Sequence, residues 1–199
     1  MKKKQFRSHL QWLLLLLVLL ITLTAYVAGK YIKTISFSGS VTFTSSLASN
    51  MVLQEHEAVR NPDGSYFLTE NIVNGNKYTL IPGQDIPKDP HIIITDKTMI
   101  EAYLYIEIES TLDAPVTYEV DTTKWTLLKT DGNKSVYYYN SVLGKGFSDE
   151  PIYILKDGRV TVSQKLLSGS DAATDVLTIR ALMKEKVGSD AEGTYDRKN

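Results

Sequence analysis

The stretch ISFSGSVTF, residues 35–43, decides how the rest of the chain reads. Ile35, Phe37, Gly39, Val41 and Phe43 fall on one side of a two-residue period, and Ser36, Ser38, Ser40 and Thr42 fall on the other. Alternation of this kind, with β-branched and aromatic residues on one side, marks a half-buried strand. The same texture continues downstream. Ala102, Leu104, Ile106 and Ile108 alternate with Tyr103, Tyr105 and Glu107, and Val116 to Val120 follows Asp113-Ala114-Pro115. Trp125 and Leu127 are expected to point inward from the next strand.

Turn signals punctuate these runs. Asn61-Pro62-Asp63-Gly64 predicts a hairpin between Met51 to Arg60 and Ser65 to Thr69. Asn74-Gly75, Asp131-Gly132 and Asp157-Gly158 separate further extended runs. Pro82, Pro87 and Pro90 forbid a regular ladder or helix in IPGQDIPKDPHI, residues 81–92. That segment reads as a stiff extended crossover between two sheets. Asp171 to Val187 fits helical spacing through Val176, Ile179, Met183 and Lys186, and strand spacing through Leu177, Ile179, Ala181 and Met183. The all-β context favours the strand. The polar residues from Gly188 to Asn199 read as a loose tail. Short strands with this punctuation imply one sandwich or barrel.

The N-terminus has a different composition. Lys2, Lys3, Lys4 and Arg7 precede an uncharged run from Leu10 to Gly29 with a dense apolar core from Trp12 to Leu23. Ala25, Ala28 and Gly29 follow. Basic, apolar, then small is the order of a secretory signal. The run is also close to the roughly 20 apolar residues that span a bilayer. Residues 1–29 are therefore a signal peptide or a membrane anchor, with the small residues favouring cleavage between Ala25 and Lys30. Residues 30–199 form one domain.

Composition narrows the function classes. The net charge of −1 supplies no global field toward nucleic acid. Cysteine is absent, which excludes disulfides, thiolate metal sites and a cysteine nucleophile. His56 stands between Glu55 and Glu57, and on a strand the imidazole and the two carboxylates take opposite faces. His56-Glu57 is followed by Ala58, Val59 and Arg60, so the helical zinc motif HExxH is missing. Asp171, Asp175 and Glu185 lack the spacing of a calcium loop. Tyr137, Tyr138 and Tyr139 read as rings straddling a sheet, with a carbohydrate or assembly platform as the alternative. No catalytic, cofactor-binding or metal-ligating residue is assigned.

The segments FSGSVTFTSSLASN, LQEHEAV, PDGSYFLT, LIPGQDIPKDPHI, AYLYIEI, TYEVDTTKWTLL, ILKDGRVTV and DAATDVLTIRA together resemble the TasA/camelysin-type secreted proteins of Gram-positive bacteria. The resemblance runs from about Ile35 to Val187, and the proline crossover followed by AYLYIEI is its most specific part. It implies an all-β, single jelly-roll-like β-sandwich after an N-terminal hydrophobic leader helix. It also implies removal of the leader by a SipW-like signal peptidase, and localisation to the extracellular matrix or cell surface. The implied partners are further copies of the chain or related matrix proteins. In such proteins the mature N-terminal strand fills a groove in the next subunit, and the matching segment is Lys33 to Thr44, with Ile35, Phe37, Gly39, Val41 and Phe43 as the candidate assembly residues. The membrane is met only through the leader. Two alternatives stay open at this point: a camelysin-like surface metalloendopeptidase, to which no residue is assigned, and a monomeric surface adhesin or ligand-binding module.

Overall fold

A computed structural model describes residues 12, 14–23, 33–41, 51–95, 100–112, 116–144, 147, 150–164, 175–186 and 190–196. The basic N-terminal residues, the small residues before Lys30, Phe43, Asp113 to Pro115 and Asp171 lie outside this set. A helix over residues 14–23, α1, carries only exposed side chains. No helix among the described residues is long and apolar enough to cross a membrane.

Thirteen strands follow among the described residues: β1 Lys33–Val41, β2 Met51–Arg60, β3 Tyr66–Val73, β4 Lys77–Leu80, β5 Ile86–Pro87, β6 His91–Ile94, β7 Ala102–Ser110, β8 Val116–Val120, β9 Trp125–Asp131, β10 Lys134–Tyr139, β11 Ile152–Tyr153, β12 Leu155–Val162 and β13 Asp175–Glu185. They form a six-stranded sheet in the order β4-β1-β13-β7-β10-β9, a four-stranded sheet β11-β6-β2-β3 and a three-stranded sheet β5-β12-β8. One apolar core draws residues from all three sheets, among them Leu53, Leu80, Ile92, Ile106, Val120, Trp125, Val160 and Ile179. The chain is an all-β sandwich, as its period-two pattern predicts.

The strongest strand pattern lies at the centre. β7 sits between β13 and β10, and Ala102, Leu104, Ile106 and Ile108 face the main core. Tyr103 and Tyr105 on its other face join Leu182 and Ala191 in a second, smaller cluster. Burial on both faces explains why AYLYI runs apolar without a break. The segment Asp175–Glu185 is the strand β13, whose ladder with β7 runs from Leu177 opposite Ser110 to Glu185 opposite Ala102.

Local differences from the sequence reading have local causes. Leu127 is 52% exposed rather than inward; it lies on β9, the edge strand of the six-stranded sheet, next to a register slip between Val136 and Tyr137. The slip leaves Leu128 as the extra residue and breaks the alternation begun at Trp125. Asp157-Gly158 is not a hairpin turn between two strands. Both residues have positive φ (55° and 58°) inside the single strand β12. There Lys156 to Arg159 stand against Glu119 alone, a wide bulge. The region expected to be a loose tail contains a short helix, α2 Ala191–Asp196, which covers the second cluster. Tyr105 Oη donates to Ala191 O at 2.8 Å, and Tyr195 Oη donates to Glu107 Oε1 at 2.6 Å. The hairpin at Asn61 to Gly64 forms between β2 and β3. The proline crossover leads from β4 in one sheet to β6 in another, contributing β5 on the way.

Candidate functional site

The segment singled out for assembly is an interior strand. β1 lies parallel to β13, with Phe37 opposite Leu177, Gly39 opposite Ile179 and Val41 opposite Ala181. It is the one parallel pair among the described strands. On its other side β1 runs antiparallel to β4, with Ile35 opposite Tyr78 and Lys33 opposite Leu80. Leu177, Ile179, Ala181, Tyr78 and Leu80 are all buried in the main core. Ile35, Phe37, Gly39 and Val41 thus occupy one alternating set of positions, and apart from Asp175 opposite Ile35 the registered neighbours named here are core residues. Phe43 lies outside the described residues.

A second feature is a buried polar seam. β2 changes partners along its length. Met51 to Gln54 pair with β6, and Glu55 to Arg60 pair with β3. The ladder with β3 shifts register between His56 and Ala58, where Thr69 to Asn71 stand against Glu57 alone. Backbone groups that a regular ladder would satisfy are bonded by side chains instead. Asp89 Oδ1 accepts from His56 N at 3.1 Å, and Asn76 Oδ1 accepts from Ala58 N at 2.8 Å. Asn76 Nδ2 donates to Glu55 Oε1 at 3.0 Å and to His56 O at 2.9 Å.

The proline crossover supplies the other half of the seam. Lys88 pairs with Glu55, with side chains only 3% and 5% exposed. Lys88 N also donates to Gly158 O at 2.7 Å, which ties the crossover to the β12 bulge. His56 Nδ1 lies 2.6 Å from Asp89 Oδ2. His91 Nδ1 donates to Asp89 O at 2.8 Å, and Gln54 Nε2 lies 3.2 Å from His91 Nε2. The amide can only donate, so the bonding assigns the proton to His91 Nδ1 and leaves Nε2 bare. The His56 and His91 rings are 5.3 Å apart, and Tyr153 packs on His91 at 5.2 Å.

Burial sets the electrostatics of the seam. It pushes the Lys88 ammonium below its ordinary value, and the Glu55 carboxylate opposes that shift. Burial likewise raises the Tyr78 phenol far above its ordinary value, with the charges of Glu55 and Asp89 adding to the rise. Tyr78 Oη stays protonated and donates to Pro87 O at 2.9 Å.

Among the described residues, one set of three potential metal ligands comes together: His56, Asp89 and His91, with a ligand atom from each within 4.8 Å of the others. The sequence reading weighed His56 with Glu55 and Glu57. In the fold these three diverge. Glu55 goes to Lys88, His56 to Asp89, and Glu57 accepts from Asn71 Nδ2 at 3.0 Å. Asp175 and Glu185 sit at opposite ends of β13. The tyrosine run divides between the two cores, with Tyr137 and Tyr139 on the main one and Tyr138 on the smaller. The gathering of Asp89 with His56 was missed because 33 residues separate them. The signal available was the Lys-Asp-Pro-His run itself, an unusual density of polar residues between two apolar strands.

No family model, curated protein or solved structure matches the chain. The functional reading therefore rests on its own residues.

Proposed function

We propose that the protein is an exported structural subunit of the cell surface or biofilm matrix, which assembles by giving β1 to a neighbouring copy. The observation that carries this reading is the place of β1. It is the first strand after the hydrophobic leader, yet it fills an interior slot between β4 and β13. Withdrawing it would open two sheet edges at once, each a row of unpaired N–H and C=O groups. The same strand from a second copy satisfies both edges, with main-chain bonds for affinity and alternate residues for register. Because donor and slot lie on different parts of the chain, the contact is head to tail, and it propagates wherever the rotation between copies does not close a ring.

The resemblance to TasA/camelysin-type proteins supports the same reading. So does the leader, whose described helix exposes only apolar residues apart from Thr22. Such a segment suits a bilayer, either until a signal peptidase removes it or as a lasting anchor. A leader held in the membrane also tethers β1, so cleavage and assembly would be coupled.

The test compares a chain that begins at Lys30 with one that begins after Ser46. The longer chain is expected to form fibres or sedimenting oligomers, and the shorter one is not. A synthetic peptide of residues 30–46, added to the shorter chain, is expected to bind it and leave a capped monomer. Equal, monomeric behaviour of both chains, with no peptide binding, would remove the proposal.

A further inference from the structure

The geometry points to a binding site for one divalent transition-metal ion, held by His56, Asp89 and His91 at the seam where β2 leaves β6 for β3. The inference is independent of strand exchange. The three residues come from two segments that the fold presses together. His56 lies on β2, Asp89 on the crossover, and His91 at the first position of β6. One ligand atom from each already lies within 4.8 Å of the other two. A tetrahedral ion with bonds near 2.1 Å spaces its ligands about 3.4 Å apart. Closing the set requires the His56–Asp89 contact of 2.6 Å to open and the His91 Nδ1–Asp89 Oδ2 separation of 4.0 Å to be rearranged by small side-chain rotations.

The donor set selects the ion. Two imidazoles and one carboxylate suit borderline cations such as Zn²⁺ and Co²⁺, rather than Ca²⁺ or Mg²⁺, which favour all-oxygen shells. His91 places Nδ1 4.0 Å from Asp89 Oδ2, and it becomes a ligand when the proton that Nδ1 gives to the Asp89 main-chain carbonyl moves to Nε2, where the Gln54 amide turns its oxygen to accept it. His56 becomes a ligand when the ion replaces the proton between Nδ1 and Asp89, and that proton passes to Nε2 or to solvent.

Charge and access are consistent with an ion. The nearby Lys88 ammonium is matched by Glu55, and Asp89 adds a second carboxylate to the seam, in contact with His56. The His56 side chain is 27% exposed while those of Asp89 and His91 are nearly covered, so entry is from the His56 side. A solvent molecule can complete the shell there. Bound metal would join β2 to the crossover at the place where no regular ladder connects them.

The experiment uses the full chain, stripped with chelator and dialysed against Zn²⁺ or Co²⁺. One equivalent of Zn²⁺ is expected to remain, with a rise in thermal midpoint. The Co²⁺ form is expected to show the visible absorption of a four-coordinate site. His56→Ala is expected to weaken binding at least tenfold, whereas Glu57→Gln next to it leaves binding unchanged. Because His91→Asn risks misfolding, ring-proton NMR of the unaltered protein provides the second measurement: Zn²⁺ should shift the His56 and His91 signals and leave His9 in place. Absence of stoichiometric binding, equal affinity in His56→Ala, or shifts confined to His9 would each overturn the site.

Discussion

The centre of the six-stranded sheet and the seam beside His56 are both buried, yet different forces hold them. At the centre, Leu104, Ile106, Ile108, Ile179 and Met183 pack on one another with no polar side chain among them. Each such side chain gains roughly 1.5–3 kcal/mol from leaving water, and its exact neighbours matter little. In the seam, Glu55, Asn76, Lys88, Asp89 and His91 are also buried, and each depends on particular polar partners. The first region tolerates change in proportion to volume. The second fails when any one partner is removed, because a buried charge or donor is left unmatched.

That contrast can be tested from its strongest consequence downward. Lys88→Met leaves Glu55 buried without its countercharge, and should cost about 3–5 kcal/mol by urea denaturation. Adding Glu55→Leu should recover most of the loss, since a well-packed apolar pair replaces both charges. A single change costing less than its double would break the comparison. At the centre, Ile106→Ala should cost about 2–5 kcal/mol through the cavity it leaves, and no second substitution in the seam should rescue it. Asn76→Ala should cost about 1–3 kcal/mol, because Ala58 N and Glu55 each lose a bond. Leu127→Ser, on the exposed bulged strand, should stay within about 0.5 kcal/mol.

Alkaline pH sharpens the same contrast. The buried phenol of Tyr78 has a folded pKa raised above its unfolded value near 10. Its contribution to stability is therefore complete below pH 10 and is lost as pH rises beyond it. Tyr105, raised chiefly by burial under α2, behaves alike. Stability measured from pH 9 upward should fall above pH 10, and Tyr78→Phe should make that fall shallower. A pH profile indifferent to Tyr78→Phe would show that this phenol does not titrate on unfolding.

The two regions also differ in how far the sequence reveals them. The central strands are legible because apolar periodicity is a local signal. AYLYIEI needs no knowledge of partners, whereas the run around Ile179 fits helix and strand spacing alike and is settled only by the all-β context of its neighbours. The exposure of Leu127 goes with the edge position of β9, which residue types do not reveal, and the bulge at Asp157-Gly158 changes the count without changing the residue types. α2 escaped notice because its hold on the fold is a few hydrogen bonds from Tyr105, Tyr195 and Lys184, not an apolar stripe. The seam was illegible for a stronger reason. Its partners meet only after β2, the crossover and the β12 bulge have been brought together, and no spacing in the chain encodes that meeting.

The strand-exchange reading makes its own demand on β1, and the absence of cysteine allows a direct measurement. Ser38 and Thr178 are registered partners across β1 and β13. Neighbouring strands lie about 4.8 Å apart, within reach of a disulfide. Chains beginning at Lys30 and carrying only Ser38→Cys can be mixed with chains carrying only Thr178→Cys, concentrated and oxidised. Strand exchange predicts a disulfide-linked heterodimer that accumulates with assembly, and that also forms when the Thr178→Cys chain begins after Ser46, because its slot is then open to the other chain's β1. Assemblies that form without that cross-link would contradict the account.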